Sequence, residues 1–354
     1  MYLRNGWYCA GWASELGQKP TARRMLGEPV MVFRSESGEP VALEGRCPHR
    51  FAPLHLGTIE GDRITCPYHG LVFDRAGACV HNPHGAIPKQ ARLKVYPVAE
   101  RDGVVWVWMG DPARADPALI VDSGFLVDPG YATVLGYLNV AAHYQMVIDN
   151  LLDLTHPAIL HKGGLSSEEY MGENMHHRFR QEGTTIHSDY TFRNVNASPG
   201  LAPLWGDRKS DVRAFMTFYP PTNLVLDFRM NEVNGPVDDG VFLPTLHLLV
   251  PENEERTHYF YAMGRNVELG NEELSAITAK MARHAFEDED EPMIRACQDM
   301  MGTTDLFSLK PVLLKTDVAA ARARLLLDKL VAQEAAQTGE QPAADDAGPV
   351  TAAE

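Results

Sequence analysis

The sequence lacks several features that would assign it to a common class of protein. No run of about 18 or more apolar residues is present, which argues against a transmembrane helix. Residues 1–7 do not have the charged-then-apolar layout of a signal peptide, so we expect a cytoplasmic protein. Basic residues number 32 against 47 acidic residues, and the net charge of −15 argues against binding to nucleic acid or to an anionic membrane.

Cysteine is also scarce, and motifs for binding nucleotides are missing. The five cysteines, at positions 9, 47, 66, 79 and 297, do not suggest a disulfide framework in a cytosolic chain, which favours metal binding by a subset of them. No G-x-G-x-x-G motif follows a predicted strand, and the four-cysteine pattern of a plant-type ferredoxin is absent. A redox function would therefore need electrons from a separate protein.

The 354 residues exceed what one hydrophobic core usually accommodates, so we predict two domains. Short predicted strands and turns end at Asp111-Pro112, which gives a first domain of residues 1–112. The second domain covers residues 113–332. Its predicted helices are 140–155, 271–301, which Pro292 is expected to disturb, and 316–332; its predicted strands are 184–193, 212–219, 223–230, 241–250 and 257–264.

Residues 333–354 differ in composition from the rest of the chain. They contain five acidic residues and no Lys or Arg, and they are rich in Ala, Gln and Pro with almost nothing to bury. We therefore predict that this tail is disordered. Subtracting its five acids from the charge of −15 leaves −10, so the body is acidic as well. Such a surface suits either simple solvation or the attraction of a basic redox partner.

Two short segments each combine one cysteine and one histidine, as Cys47-x-His49 and Cys66-x-x-His69. Four such ligands could bind a structural zinc ion, for which two Cys and two His are a common set. A zinc finger, however, usually presents two cysteines together and then two histidines on a helix. The mixed halves instead let one iron take both cysteines and a second iron take both histidines, as a Rieske [2Fe–2S] cluster requires.

A second group of possible ligands consists of Asp149, Asp153, His156 and His161. At about 100° per residue, the first three fall on one stripe of a predicted helix whose other positions are mostly apolar. Two carboxylates and a histidine in apolar surroundings are costly unless they are paired or bind a metal. On an ideal helix His161 lies roughly 140° around from His156. Either a looser turn at Pro157 brings it back, or it is an ordinary core or surface histidine.

These patterns resemble the Rieske non-haem iron oxygenases. C-x-H…C-x-x-H is the cluster motif of that family, and Asp-x₃-Asp-x₂-His-x₄-His is its mononuclear-iron motif. Over residues 1–332 the chain is similar to the group that includes vanillate O-demethylase, dicamba O-demethylase and toluenesulfonate methyl-monooxygenase. The resemblance implies an α+β protein, with an N-terminal all-β Rieske domain followed by a catalytic domain of the helix-grip type, an antiparallel sheet covered by helices.

The resemblance also implies which residues bind the metals. The four Cys and His residues of the first pattern would hold one [2Fe–2S] cluster per subunit. His156, His161 and Asp290 would bind one Fe(II) per subunit and leave positions open for dioxygen. Asp288 is the alternative carboxylate, because the acidic run at 287–291 permits a shift of two residues.

A catalytic role is implied for Asp153, which matches a bridging aspartate. It would link His69 of a neighbouring subunit to His156 by hydrogen bonds, and so carry electrons between two chains. This arrangement implies a ring-shaped oligomer, expected to be a homotrimer.

The implied reaction is hydroxylation of a methyl or methoxy carbon on a substituted aromatic compound by O2. Electrons would come from NAD(P)H through a separate reductase of the flavin or ferredoxin type. Asp227 and His247 match substrate-contacting positions, and an acid at 227 would suit a phenol or a cation better than a carboxylate. Two alternatives are a ring-hydroxylating dioxygenase that forms a cis-diol and a Rieske electron-transfer protein, which would need only the first 110 residues.

Overall fold

The computed structural model describes residues 1–17 and 19–338. Its N-terminal part consists of three small antiparallel sheets with the strand orders β1-β11-β10, β2-β3-β4-β9 and β5-β6-β7-β8. These strands are β1 (Trp7–Trp12), β2 (Thr21–Met25), β3 (Glu28–Arg34), β4 (Pro40–Glu44), β5 (Thr58–Glu60), β6 (Arg63–Thr65), β7 (Val72–Phe73), β8 (Cys79–His81), β9 (Val95–Tyr96), β10 (Val98–Arg101) and β11 (Val104–Trp108).

The C-terminal part is built on one seven-stranded antiparallel sheet with the order β12-β18-β17-β16-β15-β14-β13. The strands are β12 (Ala132–Val140), β13 (Met175–Glu182), β14 (Thr185–Asn196), β15 (Lys209–Tyr219), β16 (Asn223–Glu232), β17 (Val241–Asn253) and β18 (Arg256–Arg265). The helices are α1 (Tyr144–Leu152), α2 (Pro157–Leu160), α3 (Ala202–Trp205), α4 (Glu272–Arg283), α5 (Glu291–Met301) and α6 (Val318–Thr338). The predicted fold class, all-β and then an antiparallel sheet with helices, is confirmed.

Strand β17 contributes to two hydrophobic cores, because its side chains alternate between the two faces of the sheet. Leu246 and Leu248 pack in one core with Trp106 and Trp108 of the N-terminal part. Leu249 lies in the other core, which the sheet forms with α1, α4 and α6. Side chains that line a site between the sheet and the helices therefore come from alternate positions of each strand.

Two strands of the large sheet were not predicted, and both lie at its edges. The sequence of β13, Met175–Glu182, is mostly polar and no residue in it is fully buried. An edge strand of this kind has a weak apolar pattern, since it has one neighbouring strand and much exposed surface. The predicted start of the first helix at residue 140 was also wrong, because Val140 ends β12 and α1 begins only at Tyr144.

The helical segment predicted for 271–301 is continuous but changes its hydrogen bonding in the middle. His284–Asp290 form a π-helical segment between α4 and α5, in which the Glu291 amide donates to the carbonyl of Phe286, five residues earlier. Pro292 follows in the first turn of α5, where a missing N–H is tolerated. The proline therefore does not break the helix. Single π-helical turns of this kind often occur at functional sites.

The last helix continues past its predicted end. Residues 333–338, which we predicted as the start of a disordered tail, belong to α6. Glu334 ties this end to the N-terminus, because its carboxylate accepts hydrogen bonds from the backbone amides of Arg4, at 2.6 Å, and Asn5, at 2.7 Å. The remainder of the predicted tail, 339–354, lies outside the described residues. No helix in the described part of the chain combines the length and apolar composition needed to cross a bilayer.

Candidate metal centres

The two Cys/His segments form loops with the same backbone hydrogen bonds. The amide of Cys47 donates to the carbonyl of Ala52 at 2.9 Å, and the amide of Cys66 donates to that of Leu71 at 2.8 Å. Four residues after each cysteine, Phe51 and Gly70 adopt left-handed φ angles of 55° and 69°. A left-handed φ is unusual for phenylalanine. Because Phe51 adopts it at the position that Gly70 holds in the other loop, both loops need the same turn.

The four side chains divide into two unlike pairs. Cys47 and Cys66 are buried in the core of this part of the protein, and burial together with the neighbouring Cys66 thiol raises the pKa of the Cys47 thiol to about 11. His49 and His69 lie towards the surface, with their ring centroids 4.4 Å apart. Two thiols inside and two imidazoles outside fit a [2Fe–2S] cluster with one iron on each pair.

Zinc binding by the same residues does not fit this arrangement. A single tetrahedral zinc ion needs its four donor atoms around one point. Among the described residues, one group of three side chains has all of its donor atoms within 4.8 Å of one another. That group lies elsewhere in the chain and does not include the four Cys and His residues.

Asp149, Asp153 and His156 do not share a helix stripe, so that prediction was wrong. Helix α1 ends at Leu152, and Asp153 is extended with ψ 94°. Beyond the end of the helix, the Asp153 carboxylate accepts a hydrogen bond from the Thr155 amide at 2.9 Å. Asp149 points away to an ion pair with Arg324 of α6, at 2.6 Å, and takes no part in the centre.

His156 and His161 flank the short helix α2, which begins at Pro157. Helix α1 has ended before His156, and between the two histidines the chain makes one regular helical turn, in which the amides of Leu160 and His161 donate to the carbonyls of His156 and Pro157. The ring centroids of the two histidines lie 5.2 Å apart. The looser turn expected at Pro157 is therefore not found, but the Nε2 atoms of both imidazoles face the carboxylate of Asp290.

Asp290 completes this group from the end of the π-helical segment. Its Oδ1 atom lies 3.4 Å from Nε2 of His156 and 3.3 Å from Nε2 of His161, and all three donor atoms lie within 4.8 Å of one another. Burial alone would raise the pKa of Asp290, but the two imidazoles outweigh it and hold that pKa below its usual range. Asp288, the alternative carboxylate, is exposed and pairs with His284 at 2.8 Å.

Three further groups orient these side chains, and the sequence did not predict them. Asn150 donates to Oδ1 of Asp290 at 3.0 Å, and the Nδ1 atom of His161 lies 2.8 Å from Oε2 of Glu289. Nδ1 of His156 bonds the backbone carbonyl of Asp153. Because both Nδ1 atoms are engaged in hydrogen bonds, the Nε2 atoms are left to face a metal ion. Two imidazoles and one carboxylate are a set of donors that suits Fe(II).

The expected contact between the Asp153 carboxylate and His156 is absent within the described chain. The carboxylate bonds both the amide and the hydroxyl of Thr155, and the backbone carbonyl holds the histidine instead. No signal in the sequence shows whether the carboxylate or the backbone carbonyl of Asp153 would bond His156. The carboxylate remains half-buried.

A cavity of about 130 Å³ opens beside the three facing donors, between the sheet and the helices. Its lining is largely apolar, and the lining residues are Asn150, Leu151, Leu154, His156, Pro157, His161, Leu165, Ser166, Tyr170, Phe192, Leu201, Ala214, Met216, Leu226, Phe228, Leu243, Thr245, His247, Met263, Phe286 and Asp290. The sequence did not predict most of these positions, which come from distant strands.

The two predicted substrate residues differ in position. His247 lines the cavity; its Nδ1 atom is 2.6 Å from the hydroxyl of Tyr259, and burial lowers its pKa to about 3, so the imidazole is neutral. Asp227 does not line it. Side chains of β16 alternate between faces, and Asp227 lies on the opposite one, paired with Arg213 and Arg229 at 3.2 and 2.9 Å.

Comparison with known proteins gives matches along almost the whole chain. Residues 6–97 match the model of the Rieske [2Fe-2S] domain, and residues 140–333 match that of the vanillate O-demethylase oxygenase C-terminal domain. The chain is 34% identical to the oxygenase component of dicamba O-demethylase from Stenotrophomonas maltophilia, over 95% of this chain and 99% of that protein. It is also 34% identical to the oxygenase component of chloroacetanilide N-alkylformylase from Rhizorhabdus wittichii, over 94% and 97%.

The fold is similar to that of a solved structure over the same range. The crystal structure of dicamba monooxygenase bound to 3,6-dichlorosalicylic acid superposes with a TM-score of 0.90 at 32% identity, covering 95% of this chain and 99% of that one.

Proposed function

The chain belongs to the Rieske oxygenases with a C-terminal domain of the vanillate O-demethylase type, and we propose that it hydroxylates a methyl or methoxy carbon of a substituted aromatic compound. It is an oxidoreductase, the oxygenase component of a multicomponent monooxygenase. One observation carries the proposal: His156, His161 and Asp290 converge beside an apolar cavity of the size of one aromatic ring.

We propose one [2Fe–2S] cluster and one Fe(II) per chain. Cys47 and Cys66 would hold one iron of the cluster, and His49 and His69 would hold the other. When bound, the cluster supplies single electrons and the ferrous ion supplies a site for activating dioxygen. We also propose two boundaries. The cluster-binding domain would end at residue 112, and the catalytic domain would end at residue 332.

The protein side chains around the second centre have separate tasks. His156, His161 and Asp290 would bind the ferrous ion on one face, while Asn150 orients the carboxylate. The apolar walls exclude water from the reacting carbon, and His247 would hold the substrate through a hydrogen bond. Asp227 has no place in this pocket, because it is paired on the other face of the sheet.

The overall reaction inserts one oxygen atom of O2 into a C–H bond, and two electrons and two protons reduce the other atom to water. A hydroxylated methoxy group then collapses to a phenol and formaldehyde. A ring-hydroxylating dioxygenase would place both oxygen atoms in a cis-diol. The second centre, in residues 140–333, speaks against a simple electron carrier, which would need only the first domain.

Relatives described as oxygenase components imply a separate electron-donating protein. We propose an NAD(P)H-dependent reductase of the flavin or ferredoxin type. We further propose that the chain forms a homotrimer, in which His69 of one subunit meets Asp153 of the next. Support comes from the positions of these side chains, since His69 lies towards the surface and Asp153 is half-buried next to His156.

The names of the relatives include both an acid and a neutral anilide, so they leave the charge of this substrate open. The proposed function is tested with NADH, a surrogate reductase and a panel of methoxy- and methyl-substituted benzoates, benzamides and phenols. Formaldehyde or a hydroxymethyl product supports the proposal. A cis-diol as the main product, or no oxygen incorporation by a fully metallated protein, contradicts it.

A further inference from the structure

The cavity beside the second centre contains almost no charge. Asp290 is the one carboxylate among the lining residues of the described chain, and neither Lys nor Arg is among them. The nearby Arg213 and Arg229 are committed to Asp227 on the other face of the sheet. Asp290 itself would balance part of the charge of a bound ferrous ion. An anionic substituent deep in this cavity would therefore meet no protein cation.

The volume and the apolar lining of the cavity favour one apolar ring. A dry, apolar protein cavity of roughly 150 Å³ is large enough to bind benzene, and this cavity has about 130 Å³. Leu226, Phe228 and Leu243, on strands β16 and β17, contribute to the apolar wall. Met216 and Met263 add side chains that can adjust to different ring substituents.

Two buried polar atoms in the lining have no hydrogen-bond partner among the described residues: Nε2 of His247 and the hydroxyl of Tyr170. Nε2 of His247 is unpaired, while Nδ1 of the same ring bonds the Tyr259 hydroxyl and fixes the ring. His247 is 2% exposed. The Tyr170 hydroxyl also lacks a partner of good geometry, but the backbone amide of Ser198 lies beside it. A buried polar atom without a partner is costly, so Nε2 is the expected anchor for a polar ligand group.

We propose that this cavity takes an uncharged one-ring aromatic compound whose single hydrogen-bonding substituent meets His247, and that it discriminates against aromatic carboxylates and sulfonates. This inference rests on the proposed function, and it names the substrate class. A neutral amide, carbonyl or phenol satisfies one imidazole nitrogen with one hydrogen bond. A carboxylate would lose its hydration and gain at most one such bond, without a cation to offset the loss.

The test uses matched compounds with the iron-loaded protein. Dissociation constants are measured by calorimetry for 4-methoxybenzamide and 4-methoxybenzoate, which share the ring and the methoxy group. We expect the amide to bind at least about 100-fold more tightly, because the buried carboxylate is not compensated. Equal binding, or tighter binding of the benzoate, overturns the inference.

Formaldehyde release is measured in parallel, which separates this inference from the proposed function. If the amide binds preferentially but no compound yields formaldehyde or another oxygenated product, the proposed function fails and the inference stands. If the benzoate is both bound preferentially and demethylated, the proposed function stands and the inference fails.

Two sets of variants test the cause of the preference. Leu226→Arg places a cation in the cavity wall and should reduce the binding preference for 4-methoxybenzamide over 4-methoxybenzoate at least about 10-fold. Leu226→Met should leave that preference unchanged. If Leu226→Arg does not fold, His247→Asn and His247→Leu serve instead. Asn keeps a hydrogen bond and should retain amide binding, while Leu should weaken it about 10-fold. Unchanged amide binding in His247→Leu contradicts the assigned anchor.

Discussion

The Nδ1 atom of His161 lies 2.8 Å from Oε2 of Glu289. The Nε2 atom of the same ring faces the carboxylate of Asp290, the next residue in the sequence after Glu289. An ionised carboxylate can only accept, so Nδ1 donates and Nε2 keeps its lone pair. Glu289 and Asp290 are the last two residues of the π-helical segment, and they contact the same histidine from neighbouring positions. Glu289 is therefore a positioning residue for His161.

Removal of the Glu289 carboxylate should weaken iron binding without affecting the cluster. Glu289→Leu should lower the affinity for the mononuclear ferrous ion about 10- to 100-fold, whereas Glu289→Gln, which can still accept a hydrogen bond, should lose less. Iron titration of each variant, with the cluster monitored by its visible spectrum, measures this. Equal iron affinity in Glu289→Leu and the unaltered protein would show that Glu289 does not position His161.

Asp290 and Asp288 form a matched pair for testing the carboxylate ligand. Asp290→Asn should lose the mononuclear iron, with an affinity loss of more than about 100-fold, since even residues outside the ligand set cost up to that amount. Asp288→Asn should bind iron normally, because Asp288 is exposed and pairs with the equally exposed His284, outside the group of three facing donors. Elemental analysis after reconstitution decides between them, and the reverse result would assign the ligand role to Asp288.

Asp153 tests the proposed route between two subunits. Asp153→Asn should keep both centres loaded, since Asn can still accept from Thr155, yet slow turnover severely because a bond between the subunits is lost. Thr155→Val, which removes only the hydroxyl bonded to Asp153, is the control and should remain active. Single-turnover oxidation of the reduced cluster provides the readout. Normal turnover in Asp153→Asn would exclude the route.

The ion pair between Arg324 and Asp149 should stabilise the fold and have no part in metal binding. Arg324 is buried, and Arg324→Met leaves Asp149 without a partner, which should cost about 3 kcal/mol in the free energy of unfolding. Arg322→Met, on the exposed side of the same helix, should change it by less than about 0.5 kcal/mol. Urea denaturation measures both values. A loss of iron at full stability in Arg324→Met would instead connect Asp149 to the metal centre.

The sequence identified the candidate metal-binding side chains more completely than it predicted how they are arranged. The spacing of Cys47, Cys66 and their histidines is local, and so is that of His156 and His161, which lie at the two ends of one short helix. The predicted helix stripe was wrong because helix α1 ends at Leu152, before Asp153 and His156, and the periodicity of apolar residues does not show where a helix ends.

The cavity could not be predicted because its walls come from strands far apart in sequence. Asp227 shows the difficulty. It was expected in the pocket because it matches a substrate-contacting position of the family, but the structure places it on the other face of the sheet, where two arginines pair with it. The edge strands β12 and β13 were missed for a related reason, since their burial depends on neighbours that the local sequence does not specify.

Metal content of the purified protein and of His156→Ala tests the central claim most directly. After reconstitution with iron and sulfide, the unaltered chain should hold three irons and two acid-labile sulfides, and His156→Ala should hold two irons and two sulfides with an unchanged cluster spectrum. Zinc in the Cys47/Cys66 pocket, or only two irons in the unaltered chain, would contradict the account.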